Sequence, residues 1–137
     1  MIKDNDREIL IEYRLNQSMQ TIGEVTKLID SDLLNIAVNR IYYGIFYSLT
    51  ALALRYNYES SKHAQLMGWF NQTFVKPGLL EIKYGKILRE AFKNRRDGDY
   101  APFIQFEKDD VLDMQSDMID FIERIKSFLL NPGIDSL

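Results

Sequence analysis

Residues 41–54 form a run of fourteen without a single charge, bounded by Arg40 and Arg55. As a helix this run is only about 21 Å long, well short of the roughly 30 Å hydrocarbon core of a bilayer. It therefore reads as a helix buried in protein. Leu34, Val38, Ile41, Ile45, Leu49 and Leu52 make the segment apolar on most sides, which places it at the centre of a domain with other helices packed round it. Gly44 and Ser48, four residues apart, allow one of those helices a close approach.

The remainder of the chain supplies the neighbours. Ile9, Tyr13, Ile22, Val25 and Ile29 recur at helical spacing in a first helix, with Asp4 or Asn5 as its cap. Ser31 is the expected N-cap of the central helix, which should run to about Tyr56. Ser60-Ser61 opens a third helix to about Val75, with Leu66, Trp69, Phe70 and Phe74 as its buried side. Lys76-Pro77-Gly78 is a turn, because Pro fixes φ and Gly accepts positive φ. A fourth helix from about residue 79 to residue 96 carries Leu80, Tyr84, Ile87, Leu88, Ala91 and Phe92 in one stripe. Asp97-Gly98-Asp99 should stop it, with Gly98 as a left-handed terminator, and Pro102 disfavours helix just beyond. A last helix over about 108–130 buries Val111, Met118, Ile122, Ile125 and Leu129, and Asn131-Pro132-Gly133 ends it. Strand alternation, internal repeats and low-complexity linkers are lacking. The expected fold is all-α, an up-and-down bundle of about five helices, in one domain over 1–137 with its core at about 5–130.

Composition narrows the chemistry. The chain has no Cys and one His, which removes disulfides, thiolate nucleophiles, iron–sulfur clusters and Cys-based zinc sites. His63 alone cannot assemble a His-rich metal centre, so neither a metal nor another cofactor is implied. The seven glycines are scattered and form no phosphate loop. A net charge of −3 does not suit a whole-chain nucleic-acid binder. No secretory signal opens the chain and no run is long enough for a membrane span, so a soluble, cytoplasmic protein is expected.

Charge is nevertheless segregated. Between residues 83 and 96, Lys83, Lys86, Arg89, Lys93, Arg95 and Arg96 face only Glu90, whereas between 107 and 123 seven acids face only Lys108. Five of these bases, all but Arg95, fall within roughly 140° on a helical wheel. One reading is two solvated faces that complement the helix dipoles. The other is a basic phosphate-binding surface beside the bend expected at Asp97.

Two polar clusters stand out. The first is Asn39-Arg40-Ile41-Tyr42-Tyr43-Gly44-Ile45-Phe46 on the apolar helix. Arg40 must reach the surface, an acid or a bound anion, since an unpaired buried charge is very costly. It pairs with an acid such as Asp99 or Asp117, or it opens a functional polar pocket. Tyr42 and Tyr43 read as core aromatics with satisfied hydroxyls rather than as catalytic groups. The second cluster is Asn94-Arg95-Arg96-Asp97-Gly98-Asp99-Tyr100, in which an Arg fork, a carboxylate and a phenol could bind phosphate, orient RNA or close a turn. His63, at the start of the third helix, reads as a surface or partly capping residue.

Taken in order, Asn-Arg-x-Tyr-Tyr-Gly-x-Phe within 38–46, Ser-x-His at 61–63, Phe-Val-x-Pro-Gly at 74–78 and Arg-x-x-x-Asp-Tyr at 95–100 resemble the HEPN domain (higher eukaryotes and prokaryotes nucleotide-binding), and within it a small uncharacterised prokaryotic subfamily. The resemblance covers about residues 30–130. It implies a helical bundle that dimerises, often as the toxin partner of a small nucleotidyltransferase-fold antitoxin. Active members are metal-independent RNases whose motif is Arg, four to six residues, then His, one copy from each subunit meeting at the dimer groove. From Arg95 that His would fall at Tyr100, Ala101 or Pro102, and starting from Arg96 adds only Phe103. Asp99-Tyr100 stands there instead, matching the subfamily's own variant. Cleavage through a 2′-hydroxyl needs proton transfer near neutrality, which imidazole does well and a phenol of pKa near 10 does poorly.

The resemblance thus implies, first, a nucleotide-, RNA- or partner-binding module, a homodimer and the helical component of a nucleotidyltransferase–HEPN pair. Arg40, Tyr43, His63, Arg95, Arg96, Asp99 and Tyr100 would form its binding groove, with Tyr100 the candidate for modification by nucleotidyl transfer. The alternatives are a divergent RNase toxin using Arg95 and Tyr100 across the dimer, and a structural adaptor without ligand.

Overall fold

In a computed structural model that describes residues 3–100 and 104–131, the side chain of Tyr100 excepted, the order is α1 (Asp4–Asp30), α2 (Leu34–Arg55), α3 (His63–Phe70), one π-helical turn (Asn71–Val75), α4 (Ile82–Tyr100) and α5 (Lys108–Leu130). No strand occurs among the described residues, and the bundle is all-α as its apolar spacing requires. α2 is the central helix. It packs along α1 and against α4 and α5, and eleven of its 22 residues are buried.

Gly44 marks the tightest crossing. A Cβ there would run into the methyl group of Met118 on α5 and press on Cγ2 of Thr21 on α1 at 3.2 Å. Only a residue without a side chain lets both neighbours approach α2 so closely. The hydroxyls buried around it are satisfied within their own helices: Ser18 donates to the Leu15 carbonyl, Thr21 to Gln17 and Ser48 to Ile45.

Several boundaries differ from expectation, each for a local reason. Ser31 does not cap α2. It is the C-cap of α1, whose end is closed by Asp32 at φ 57°, with Leu33 N–H bonded to the Leu28 carbonyl and Asp32 N–H to Ile29. That paired-bond closure is repeated at the end of α2, where Asn57 at φ 58° and Tyr58 N–H to the Ala53 carbonyl do the same work. Asp and Asn tolerate the left-handed conformation better than other non-glycine residues, so both short connections terminate without glycine. On α1 the buried stripe is Ile11, Ser18, Thr21, Val25 and Ile29, and the expected apolar positions Ile9 and Tyr13 are exposed.

The third helix begins at His63 rather than Ser60, and its last turn widens to the π form before Lys76-Pro77-Gly78, where Gly78 takes φ 87° as its turn requires. Trp69 is half-buried there, stacked on Tyr58, while Leu66, Phe70 and Phe74 enter the core.

The largest correction concerns Gly98. α4 does not stop at Asp97-Gly98-Asp99 but continues to Tyr100. Gly98 serves packing instead: a Cβ there would lie 3.1 Å from the Phe106 ring. Residues 104–107 fold back over this helix end, with the Ile104 carbonyl accepting a bond from Asn35 at 3.3 Å. The expected effect of Pro102 falls outside the described residues, as does the Pro132-Gly133 stop.

Candidate functional site

Asn39, Tyr42, Tyr43 and Phe46 are three and four residues apart, so they share one face of α2. That face meets the first turn of α3 and the last two turns of α4. Because α4 continues past Gly98, Arg95 and Asp99 lie one turn apart and both reach it.

His63 turns inward. Its Nδ1 lies 2.7 Å from the Tyr42 hydroxyl, and its ring stacks on Phe46 at 4.2 Å between centroids. It is therefore part of an aromatic cluster rather than the surface or capping residue expected. Burial, reinforced by the positive charge of Arg95, lowers its pKa below 6.5 and keeps the imidazole neutral near neutrality. Burial also holds the fully enclosed Tyr42 phenol well above the ordinary range, against the pull of Arg95. A phenol that keeps its proton and a neutral imidazole thus share this hydrogen bond, whose donor is set by the imidazole tautomer.

Arg95 is held by rings more than by acids. Its guanidinium carbon sits 5.0 Å from the Tyr42 centroid, 5.7 Å from Tyr43 and 5.6 Å from Phe92. Its polar contacts are long: 3.5 Å from Nη1 to the Tyr43 hydroxyl and 3.5 Å to Asp99 Oδ2. Its Nε is buried and has no hydrogen-bond partner among the described residues. Asp99 also accepts from the Asn39 amide at 3.3 Å, so one carboxylate bridges α2 and α4. An arginine in this state has donor capacity to spare, and its stacked plane is oriented by the rings around it.

The other sequence candidates divide. Tyr43 joins the site, touching Arg95 and stacking edge-on to Tyr42 at 5.3 Å. Arg40 does not pair with Asp99 or Asp117. It pairs with Glu24 at 3.6 Å and lies over Tyr43 and Tyr47, because α1 runs alongside α2 at that point. Arg96 is exposed, with its guanidinium 5.9 Å from the Phe92 ring. Tyr100 ends α4, and its side chain lies outside the described residues. Asn39, Phe46 and Phe92 were not among the residues assigned to the groove from sequence, although the spacing of residues 39, 42, 43 and 46 already placed the first two on the face of Tyr43.

Tyr43, Phe46 and His63 also border an open groove of about 720 Å³ between α1, α2 and the stretch leading into α3. Among the described residues no three His, Asp or Glu side chains converge as a metal site would require. No described helix is long and apolar enough to cross a membrane.

The chain is similar to known proteins over most of its length. A model of the HEPN domain matches residues 11–128. A UPF0332 protein of Thermotoga maritima is 33% identical over 125 residues, covering 91% of this chain and 95% of the relative. Two Methanocaldococcus jannaschii proteins whose names mark them as candidate toxins are also similar. One is 34% identical over 88% of this chain and 95% of its own length, and the other 25% identical over 90% and 84%.

Proposed function

The chain belongs to the HEPN domain family, and from that membership we propose that it is a toxin-type RNA-binding protein whose phosphate-recognising group is Arg95. The observation that carries this reading is the under-satisfied guanidinium: stacked on three rings, with a buried Nε lacking a partner and contacts of 3.5 Å to Asp99 and Tyr43. A phosphate approaching Arg95 exchanges a weak carboxylate contact for a stronger charge-assisted one. Arg96, exposed one residue on, adds a second cation on the same helix end. The protein acts as a homodimer, in the cytoplasm, as the helical component of a pair with a small nucleotidyltransferase-fold partner that modifies Tyr100. Two relatives carrying toxin names support the toxin class.

One observation favours a second reading, cleavage of the bound RNA. His63 and Arg95 contact the same Tyr42 ring, so a neutral imidazole stands near the guanidinium although the motif position holds Tyr100. An imidazole so placed can carry a proton to or from a 2′-hydroxyl, while Arg95 balances the charge that develops on phosphorus.

Expression of the chain alone tests both. Slowed growth relieved by Arg95→Ala supports the RNA-binding toxin, and unimpaired growth contradicts it. Relief by His63→Gln together with loss of RNA cleavage by the purified variant supports the nuclease reading. Co-expression with the neighbouring gene followed by intact mass detects nucleotidyl units on Tyr100.

A further inference from the structure

Tyr43 and His63 each have a second side. Away from Arg95 they line the groove of about 720 Å³, whose walls also include Phe46, Tyr47, Tyr58 and Arg14. From this placement we infer that the groove is a nucleobase pocket, holding one unstacked base of the RNA strand whose phosphate lies on Arg95. The inference rests on the RNA-binding reading above and adds to it the part of the strand that carries the base.

The lining favours a flat aromatic occupant. Five of its thirteen lining residues carry rings, among them Tyr43 and Tyr47, 6.3 Å apart, and Phe46, stacked on His63 at 4.2 Å. Tyr58, also on the wall, is backed by Trp69 at 4.6 Å and only 10° from parallel, which fixes its plane. Stacking on such rings tolerates any base and is the usual means by which proteins hold unpaired RNA. The volume is within the range of small-ligand sites.

Charge points the same way. Arg14 stands on the groove wall and donates to Gln17 at 2.8 Å, and among the described residues it makes no ion pair with an acid. The groove thus has one guanidinium on its wall, Arg14, and a second, Arg95, against the Tyr43 ring that lines it, as suits a base carrying phosphate. Glu59 is the single acid on the wall. It accepts N–H groups of a base edge and repels phosphate, which leaves the phosphates to the two arginines.

Trp69 is the chain's one tryptophan, and its stack on Tyr58 makes its fluorescence a reporter of the groove. The experiment titrates the whole chain with adenosine monophosphate and, separately, with ribose 5-phosphate, which has the phosphate and no base. The nucleotide should shift Trp69 emission saturably, and ribose 5-phosphate should bind roughly tenfold more weakly or worse. Tyr47→Ala removes a ring and Thr50→Phe fills the groove without changing charge. Each should weaken the nucleotide roughly tenfold while the helical circular dichroism is kept. If single-stranded RNA still binds through Arg95 but both small ligands bind alike and Trp69 does not respond, the pocket is overturned and the RNA reading stands. If neither RNA nor nucleotide binds, the RNA reading falls and the pocket with it. Emission that varies with protein concentration and ignores nucleotide shows a second copy of the chain covering the groove, and also overturns the pocket.

Discussion

The Tyr42 hydroxyl lies 2.7 Å from His63 Nδ1. This contact joins the centre of α2 to the first residue of α3 and places the chain's one imidazole on the ring that also carries Arg95. Its consequences are open to measurement.

The first is pH dependence. Burial and the Arg95 charge depress the His63 pKa below 6.5, so between the two values the unfolded chain binds a proton that the native protein does not. This contribution to stability is intact above pH 6.5 and is lost as pH falls through the folded pKa. Denaturation midpoints compared between about pH 7 and pH 5, above the carboxylate range, should fall for the native sequence and stay flatter for His63→Gln. Equal slopes for both would remove His63 from the buried cluster.

Two glycines inside helices should respond with opposite signs. A Cβ at Gly23 meets nothing within 4 Å, so Gly23→Ala should stabilise the protein by about 1 kcal/mol through helix propensity. At Gly44 the same change collides with Met118 and Thr21 and should destabilise by about 1–3 kcal/mol. Urea denaturation of both variants checks the pair. Met118→Ala combined with Gly44→Ala should recover part of the loss.

Asp99 contacts Arg95 across 3.5 Å and, under the proposed phosphate recognition, competes with ligand for it. Asp99→Asn keeps the shape and removes the charge, so inorganic phosphate and RNA should bind up to about fivefold more tightly, the range of a weak, partly exposed ion pair. Weaker binding by Asp99→Asn would mean that the carboxylate positions Arg95 rather than occupying it.

Between α4 and α5, the Tyr84 hydroxyl donates to Asp120 at 2.8 Å and Lys83 pairs with the same carboxylate at 2.9 Å. Burial alone would raise the Asp120 pKa, but the hydrogen bonds from Lys83 and Tyr84 and the Lys83 charge outweigh it and hold it below 3.8. Tyr84→Phe should move it up toward 3.8 and lower stability by about 1 kcal/mol, read by carboxyl NMR titration and by denaturation.

The apolar spacing of residues 34–52 and 108–130 made the central helix and α5 legible, because burial on those helices follows a regular period. The ends that depend on distant residues were not. Ser31 and Gly98 carry strong local signals, one for starting a helix and one for stopping it. The closure at Asp32 and the contact of Phe106 with Gly98 override them, and neither is visible in a local window. The site shows the same division. Asn39, Tyr42, Tyr43 and Phe46 share a face by spacing alone, and the Arg95–Asp99 pair is a one-turn repeat. The inward turn of His63 and the Arg40–Glu24 pair depend on how α3 and α1 lie against α2, which only the packed bundle determines.

Binding of a labelled single-stranded RNA to the intact chain and to Arg95→Ala, over a range of salt concentrations, tests the central claim most directly. Arg95→Ala should weaken binding by roughly tenfold or more and make the salt dependence shallower by about 0.7, the loss of one phosphate contact on a single strand. Equal affinity and equal salt slope for the two proteins would contradict the assignment of Arg95 as the phosphate-recognising group.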